Sequence, residues 1–155
     1  MRKLYYGLLF LILAGCGLLM SSCTPGSCFD ETEARVKASF YSSETKKALA
    51  PDSVTLYGVN MDTLFIYEKT TNLKSAELPL YAAAQECWFV IRINGINDTL
   101  NFTYSSYTHL ISKECGYTFY FDLDTCRHSV NIIDSILIEK NTITTLNEEN
   151  LRIYF

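Results

Sequence analysis

The chain has 155 residues, of which 48 % are hydrophobic and 19 % charged, and its 13 basic and 17 acidic side chains give a formal net charge of −4. The length suits one ordinary domain. The apolar fraction excludes intrinsic disorder, and the acidic balance offers no positive field to the phosphates of nucleic acid.

Met1-Arg2-Lys3 is a short basic start, and Leu4 to Met20 follows with seventeen uncharged residues. As a helix that stretch would span roughly 25 Å, short of the ~30 Å hydrocarbon core, so residues 1–22 read as an export signal. Met20-Ser21-Ser22-Cys23 resembles a bacterial lipobox, in which the cysteine is acylated with diacylglycerol and becomes the new N-terminus. Leu13-Ala14-Gly15-Cys16 matches that pattern better when taken alone, but Gly17-Leu18-Leu19-Met20 carries the apolar run past it. Cys23 is therefore the expected lipidation site and Cys16 the alternative. A non-lipidated signal or a retained anchor is the competing reading. Residues 23–33, with Thr24-Pro25-Gly26-Ser27 in turn chemistry, then form a tether to a single domain over residues 34–155.

Beyond the lipobox the cysteines are Cys28, Cys87, Cys115 and Cys126. An even number in an exported chain points to two disulfides, and three pairings are open. There is no CxxC spacing and there are only two histidines, His109 and His128, so neither zinc nor another cofactor is expected.

From Ala34 onward the apolar residues recur with period two. Val36, Ala38 and Phe40 alternate with polar neighbours, as do Val54 and Leu56, Leu64 and Ile66, and Ala76, Leu78 and Leu80. Phe89, Ile91 and Ile93 follow, then Leu100, Phe102 and Tyr104, and then Tyr117, Phe119, Phe121 and Leu123. Ile136 and Ile138, and finally Leu151, Ile153 and Phe155, complete the series. Asn94-Gly95-Ile96-Asn97-Asp98 is the strongest hairpin signal, while Glu44–Leu49 and Asn147–Asn150 are candidates for a helical turn. About nine short strands predict an all-β fold, an antiparallel two-sheet sandwich with an immunoglobulin-like outline, with a small β-barrel as the alternative.

Several runs carry a resemblance: Ser27-Cys28-Phe29-Asp30-Glu31, Val36-Lys37-Ala38-Ser39-Phe40-Tyr41, Asp52-Ser53-Val54-Thr55-Leu56-Tyr57-Gly58-Val59 and Leu78-Pro79-Leu80. Asp98-Thr99-Leu100-Asn101-Phe102-Thr103-Tyr104 and Ile111-Ser112-Lys113-Glu114-Cys115-Gly116-Tyr117 continue it. The chain resembles the Bacteroidota lipoproteins grouped as domain of unknown function 6452. The resemblance implies an exported, lipid-anchored, all-β protein and no reaction. It also implies a Cys28–Cys115 disulfide, leaving Cys87–Cys126 by remainder, so that the tether is pinned to a central strand.

Four of the seven aspartates stand in Asp-Ser/Thr-aliphatic runs. These are similar to the O-glycosylation motif of exported Bacteroidota proteins and make Ser53, Thr63, Thr99 and Ser135 candidate acceptors. The same runs also suit a turn followed by a strand start. Tyr104, Tyr107, Tyr117 and Tyr120, with Trp88, are candidates for stacking against a glycan. The acidic clusters match no calcium loop, so no metal is expected. No GxSxG, HExxH or Gly-rich phosphate loop occurs, and no catalytic residues are assigned.

The expectation is a non-enzymatic lipoprotein of the outer membrane that binds another envelope protein as an accessory or structural module. A binding module for glycan or peptide is the alternative. The residues after Cys23 lack an acidic cluster resembling a surface-export signal, which favours the periplasmic face. The glycosylation motifs make one prediction. The intact mass of the chain from its native membranes should exceed chain plus lipid by whole sugar units, and a mass of chain plus lipid alone would exclude modification.

Overall fold

Ten β-strands form in the computed structural model, which describes residues 27–155. The signal stretch and both lipidation candidates, Cys23 and Cys16, lie outside the described residues. The strands are β1 (Arg35–Tyr41), β2 (Val54–Gly58), β3 (Phe65–Thr70), β4 (Ser75–Pro79) and β5 (Glu86–Ile93). They continue with β6 (Ile96–Ser112), β7 (Gly116–His128), β8 (Ser135–Ile138), β9 (Thr142–Ile143) and β10 (Leu151–Tyr154). Every strand expected from the alternation is present. The two-residue β9 is additional, because its single buried residue, Ile143, leaves no alternation to read. Neither Glu44–Leu49 nor Asn147–Asn150 becomes helical; the first is a turn closed by a bridge between Tyr41 and Ala48.

The strands form a sandwich of two sheets, ordered β4-β1-β10-β8 and β3-β2-β5-β6-β7-β9, the second of them curled. All neighbours are antiparallel except β1 and β10, which run parallel from Ala38↔Leu151 to Tyr41↔Tyr154. A parallel neighbour needs a long connection, and here nearly the whole domain lies between the two strands. The inward faces supply Val36, Ala38, Phe40, Leu78, Leu151 and Ile153 from one sheet. Leu56, Ile91, Ile93, Leu100, Phe102 and Tyr104 meet them from the other. Each large apolar side chain buried this way contributes about 1.5–3 kcal/mol.

The hairpin between β5 and β6 is tighter than the five-residue run suggested. Asn94 and Gly95 alone make the turn, with φ of 49° and 87°, and Ile96, Asn97 and Asp98 already belong to β6. Two consecutive positive φ angles match a type I′ turn, whose twist fits the strands it joins.

Asp98 fastens the loop that follows β7. Its carboxylate is 1 % exposed and accepts from the Ser129 hydroxyl and from the backbone N–H groups of Asn131, Ile132 and Ile133 at 2.8–2.9 Å. Burial alone would raise its pKa; the hydrogen bonds from Ser129 and the three backbone donors outweigh burial and hold it below the usual carboxylate value. The ionised form is therefore the one that folding favours. Its contribution is complete above the unfolded-state value near 4 and is lost as pH falls through the lower folded-state value. Replacing Asp98 with Ala strands four donors and should cost about 2–4 kcal/mol in denaturant unfolding. The acid limb of stability should flatten in that variant, and an unchanged midpoint and acid limb would refute the role.

Candidate functional site

Strand β6 is seventeen residues long, and β5 covers only its first part, from Ile93↔Ile96 to Glu86↔Thr103. A last bond from the Tyr104 N–H to the Gln85 carbonyl ends that coverage. At that point the β6–β7 register slips by one residue, so that Thr103 pairs with Thr125 but Tyr104 with Leu123. Such a bulge bends the strand and sharpens its twist. Beyond it β6 and β7 run on together as an arm, which turns at Lys113–Gly116 with Gly116 at φ 74°.

The tether is joined to this arm. Cys28 and Cys115 form a disulfide, and the Thr118 hydroxyl donates to the Thr32 carbonyl at 2.6 Å. The pairing agrees with what the resemblance implied, but the attachment point is the hairpin turn at the arm's tip and not the body of a central strand. The second pairing does not hold: Cys87 and Cys126 are both free. Cys87 pairs in register with Phe102, and Phe102 with Cys126, so one whole strand separates the two thiols. Two strand spacings put their Cα atoms roughly 9–10 Å apart, beyond the ~7 Å that a disulfide spans. Burial pushes the Cys87 thiol up to about 11, the neighbouring Tyr104 hydroxyl opposing the rise and Glu86 adding to it. Burial, then the neighbouring Cys87, pushes Cys126 up to about 12. Both stay protonated at neutral pH and pack as small apolar groups beside Phe102.

The tyrosine cluster is divided among three places. Tyr104 is in the core at 1 % exposure, its hydroxyl donating to the Tyr81 carbonyl and accepting from the Tyr81 N–H, so it cannot stack on a ligand. Spacing along β6 grouped it with Tyr107, but three residues along a strand put the two on opposite faces. Tyr107 and Tyr120 are cross-strand partners on the outer face, edge to face at 6.1 Å, and His109 stacks on Tyr120 at 4.2 Å. Tyr117 lies on the opposite face near the tip, and Trp88 stands on β5 well below the arm.

The hydroxyl candidates also separate. Ser53, Thr99 and Ser135 are partly buried, and Asp98, next to Thr99, is committed to the loop after β7. Asp62, Thr63 and Leu64 are all exposed in the loop between β2 and β3.

An apolar groove of about 510 Å³ opens at the arm end of the sandwich, lined by Val59, Met61, Leu80, Tyr81, Trp88 and Phe89 among others. The loop after β2 forms one wall, where Asn60 takes φ 65° and Met61 folds back to place its sulfur 3.3 Å from where a Cβ on Gly58 would be. The chain leaving β4 at Pro79 and Leu80 forms the other wall, and the same two residues line a second groove of about 370 Å³ against Thr118, Phe119 and Phe121 of the arm. Trp88 is 49 %, Met61 56 % and Tyr81 69 % exposed, so the larger groove presents wide apolar side chains to solvent. Sequence alternation assigned Trp88 to the outer face but could not find this groove, since two connecting loops make its walls. Another concavity, of about 290 Å³ and lined by Glu31, Glu33, Arg35 and Lys37, is polar and charged. Among the described residues no three His, Cys, Asp or Glu side chains converge as metal ligands.

The outermost strands of the two sheets are poor templates for a further strand, whereas β6 from Ser105 to Ser112 presents an open edge past the end of β5. β3 carries two register shifts against β2 and a positive φ at Lys69, β4 ends in Pro79, and β8 and β9 have four and two residues. Bulges, proline and short length each discourage strand addition.

The sequence profile of the family of unknown function DUF6452 matches residues 53–155, and the chain belongs to that family. No curated protein and no solved structure matches the chain. The cysteine geometry is testable in the full chain. Peptide mapping after alkylation should find Cys87 and Cys126 as thiols that react only on unfolding, with Cys28 and Cys115 linked throughout, and a Cys87–Cys126 peptide would contradict the fold.

Proposed function

We propose that this member of a family of unknown function is an exported lipoprotein, anchored to the outer membrane through Cys23 and facing the periplasm. It acts without chemistry of its own, as an accessory module that binds another envelope protein. The apolar groove around Trp88 carries this reading. It is concave, it exposes an indole, a phenol and a thioether together, and it lies at the end of the domain to which the tether is fastened. Aromatic and methionine side chains in such a setting are the usual anchors of protein recognition.

A glycan site is less well supported. Of the candidate tyrosines Tyr107 and Tyr120 alone are brought together; they meet edge to face, and Tyr120 is engaged by His109 on its ring and by Thr145 at its hydroxyl.

Photoreactive residues placed at Met61 or Tyr81 in the full chain, in its own membranes, should yield one and the same protein adduct. A residue placed at Val130, 76 % exposed on the loop held by Asp98, should yield none. Trp88→Ala should weaken capture roughly tenfold or more. No adduct from either groove position, or the same adduct from Val130, would refute the reading.

A further inference from the structure

We propose that the tip of the β6–β7 arm, with Phe29 of the tether, is a membrane-contact surface whose aromatic side chains enter the headgroup layer of a zwitterionic bilayer. This rests on the anchored reading above and deepens it, by stating which end of the domain meets the lipid.

The tip is apolar and uncovered. Phe29 is 92 % exposed, Tyr117 74 %, Leu110 48 % and Phe119 46 %. Leu110 and Tyr117 are cross-strand partners, and Phe119 follows on the same face of β7, which is the face that packs the core lower down at Phe121 and Leu123. The core face thus continues past the end of the opposing sheet, flanked at Phe119 by the tether and the chain after β4 but with Tyr117 and Leu110 left open. Phe29 is joined to the same place, because its neighbour Cys28 is bonded to Cys115 in the turn.

The undescribed part of the chain ends there as well. Five residue steps separate Cys23 from Cys28, at most ~18 Å when fully extended, and eight separate Met20 from Cys28, at most ~29 Å. Whether the membrane holds a lipid on Cys23 or the apolar stretch up to Met20, the tip stays within ~18 or ~29 Å of that attachment, close enough to reach the headgroup layer. Ile96, at the other end of β6, is sixteen residues away, roughly 50 Å along the strand. The domain is therefore held by one end, and that end carries the exposed aromatic residues.

Tyrosine and phenylalanine suit the bilayer interface, where a ring can be partly buried while its edge or hydroxyl stays wet. The charges near the tip are Asp30, Glu31 and Glu114 against Lys113. That acidic balance gives no attraction to anionic lipid, so contact would come from apolar burial and would be insensitive to salt.

Fluorescence depth measurement tests this on the full chain with its anchor, reconstituted in phosphatidylcholine vesicles brominated near the headgroup end of the acyl chains. Trp88 is the only tryptophan, and Trp88→Phe gives a dark background. Single indoles introduced by Tyr117→Trp, Phe29→Trp or Ile96→Trp all replace exposed side chains, so folding is not at risk. The indoles at positions 117 and 29 should shift to the blue and lose most of their fluorescence to the bromolipid, equally at low and high salt, while the one at 96 keeps its fluorescence. Tip indoles that stay unquenched in a chain that floats with the vesicles overturn the contact and leave the anchor standing. A chain that does not float overturns the anchor and the contact with it. Tip indoles shielded from aqueous acrylamide in native membranes, yet unquenched by bromolipid, would mean that a protein covers the tip, and this too overturns the proposal.

Discussion

Strand β6 is more than twice as long as β5, the strand that covers it, and most of what distinguishes this molecule follows from that mismatch. Over its first half β6 has neighbours on both sides and an opposing sheet beneath, and its inward residues Leu100, Phe102 and Tyr104 are buried. Past the bulge it keeps only β7, so backbone pairing continues while burial stops. A two-stranded ribbon is marginal by itself. Here it receives help at its base from the β7–β9 pairing and from the Ser106 hydroxyl on the Ala82 carbonyl, and at its tip from a covalent bond to the tether.

The disulfide closes a loop of 87 residues between the start of the described chain and the far end of the longest hairpin. In the chain-entropy view a loop of that size is worth about 4–5 kcal/mol against the unfolded state. Its mechanical effect matters as much for function. The tether cannot swing independently of the arm, so whatever holds the N-terminus also sets the orientation of the domain. The two free thiols have a different part. Set on either side of Phe102, they complete the core where β5 and β7 flank β6, and burial keeps them protonated and unreactive.

The groove around Trp88 and the apolar arm tip lie at the same end of the sandwich and are separated by the connection from Pro79 to Gln85. Tyr104 ties that connection down through both bonds to Tyr81, so a core residue positions the groove wall. The opposite end is closed by the Asp98 carboxylate and the Asn94-Gly95 turn. One pole thus exposes a groove and an apolar tip, and the other is tied shut by hydrogen bonds.

The strands were legible in the sequence because side-chain alternation in a strand is a local property, with period two whatever the strand packs against. The Asn94-Gly95 turn was legible for the same reason, since positive φ is a preference of those two residues. Burial was not local. Tyr117 and Phe119 alternate in phase with Phe121 and Leu123, and all four share a face, but only the lower pair has a sheet opposite. The parallel union of β1 with β10 needed the two ends of the domain brought together, which no window of the chain records. The same limit explains Tyr104, whose aromatic character predicted a ligand contact and whose position made it core. It explains Cys87 and Cys126 as well, since an even count of cysteines says nothing about the strand between them. The groove walls come from two loops, after β2 and after β4, that lie far apart in the chain and meet only in the folded sandwich. Sequence alone determined which residues share a face; the extent of each sheet, decided only in the tertiary structure, determined which of those faces are buried and which are left exposed.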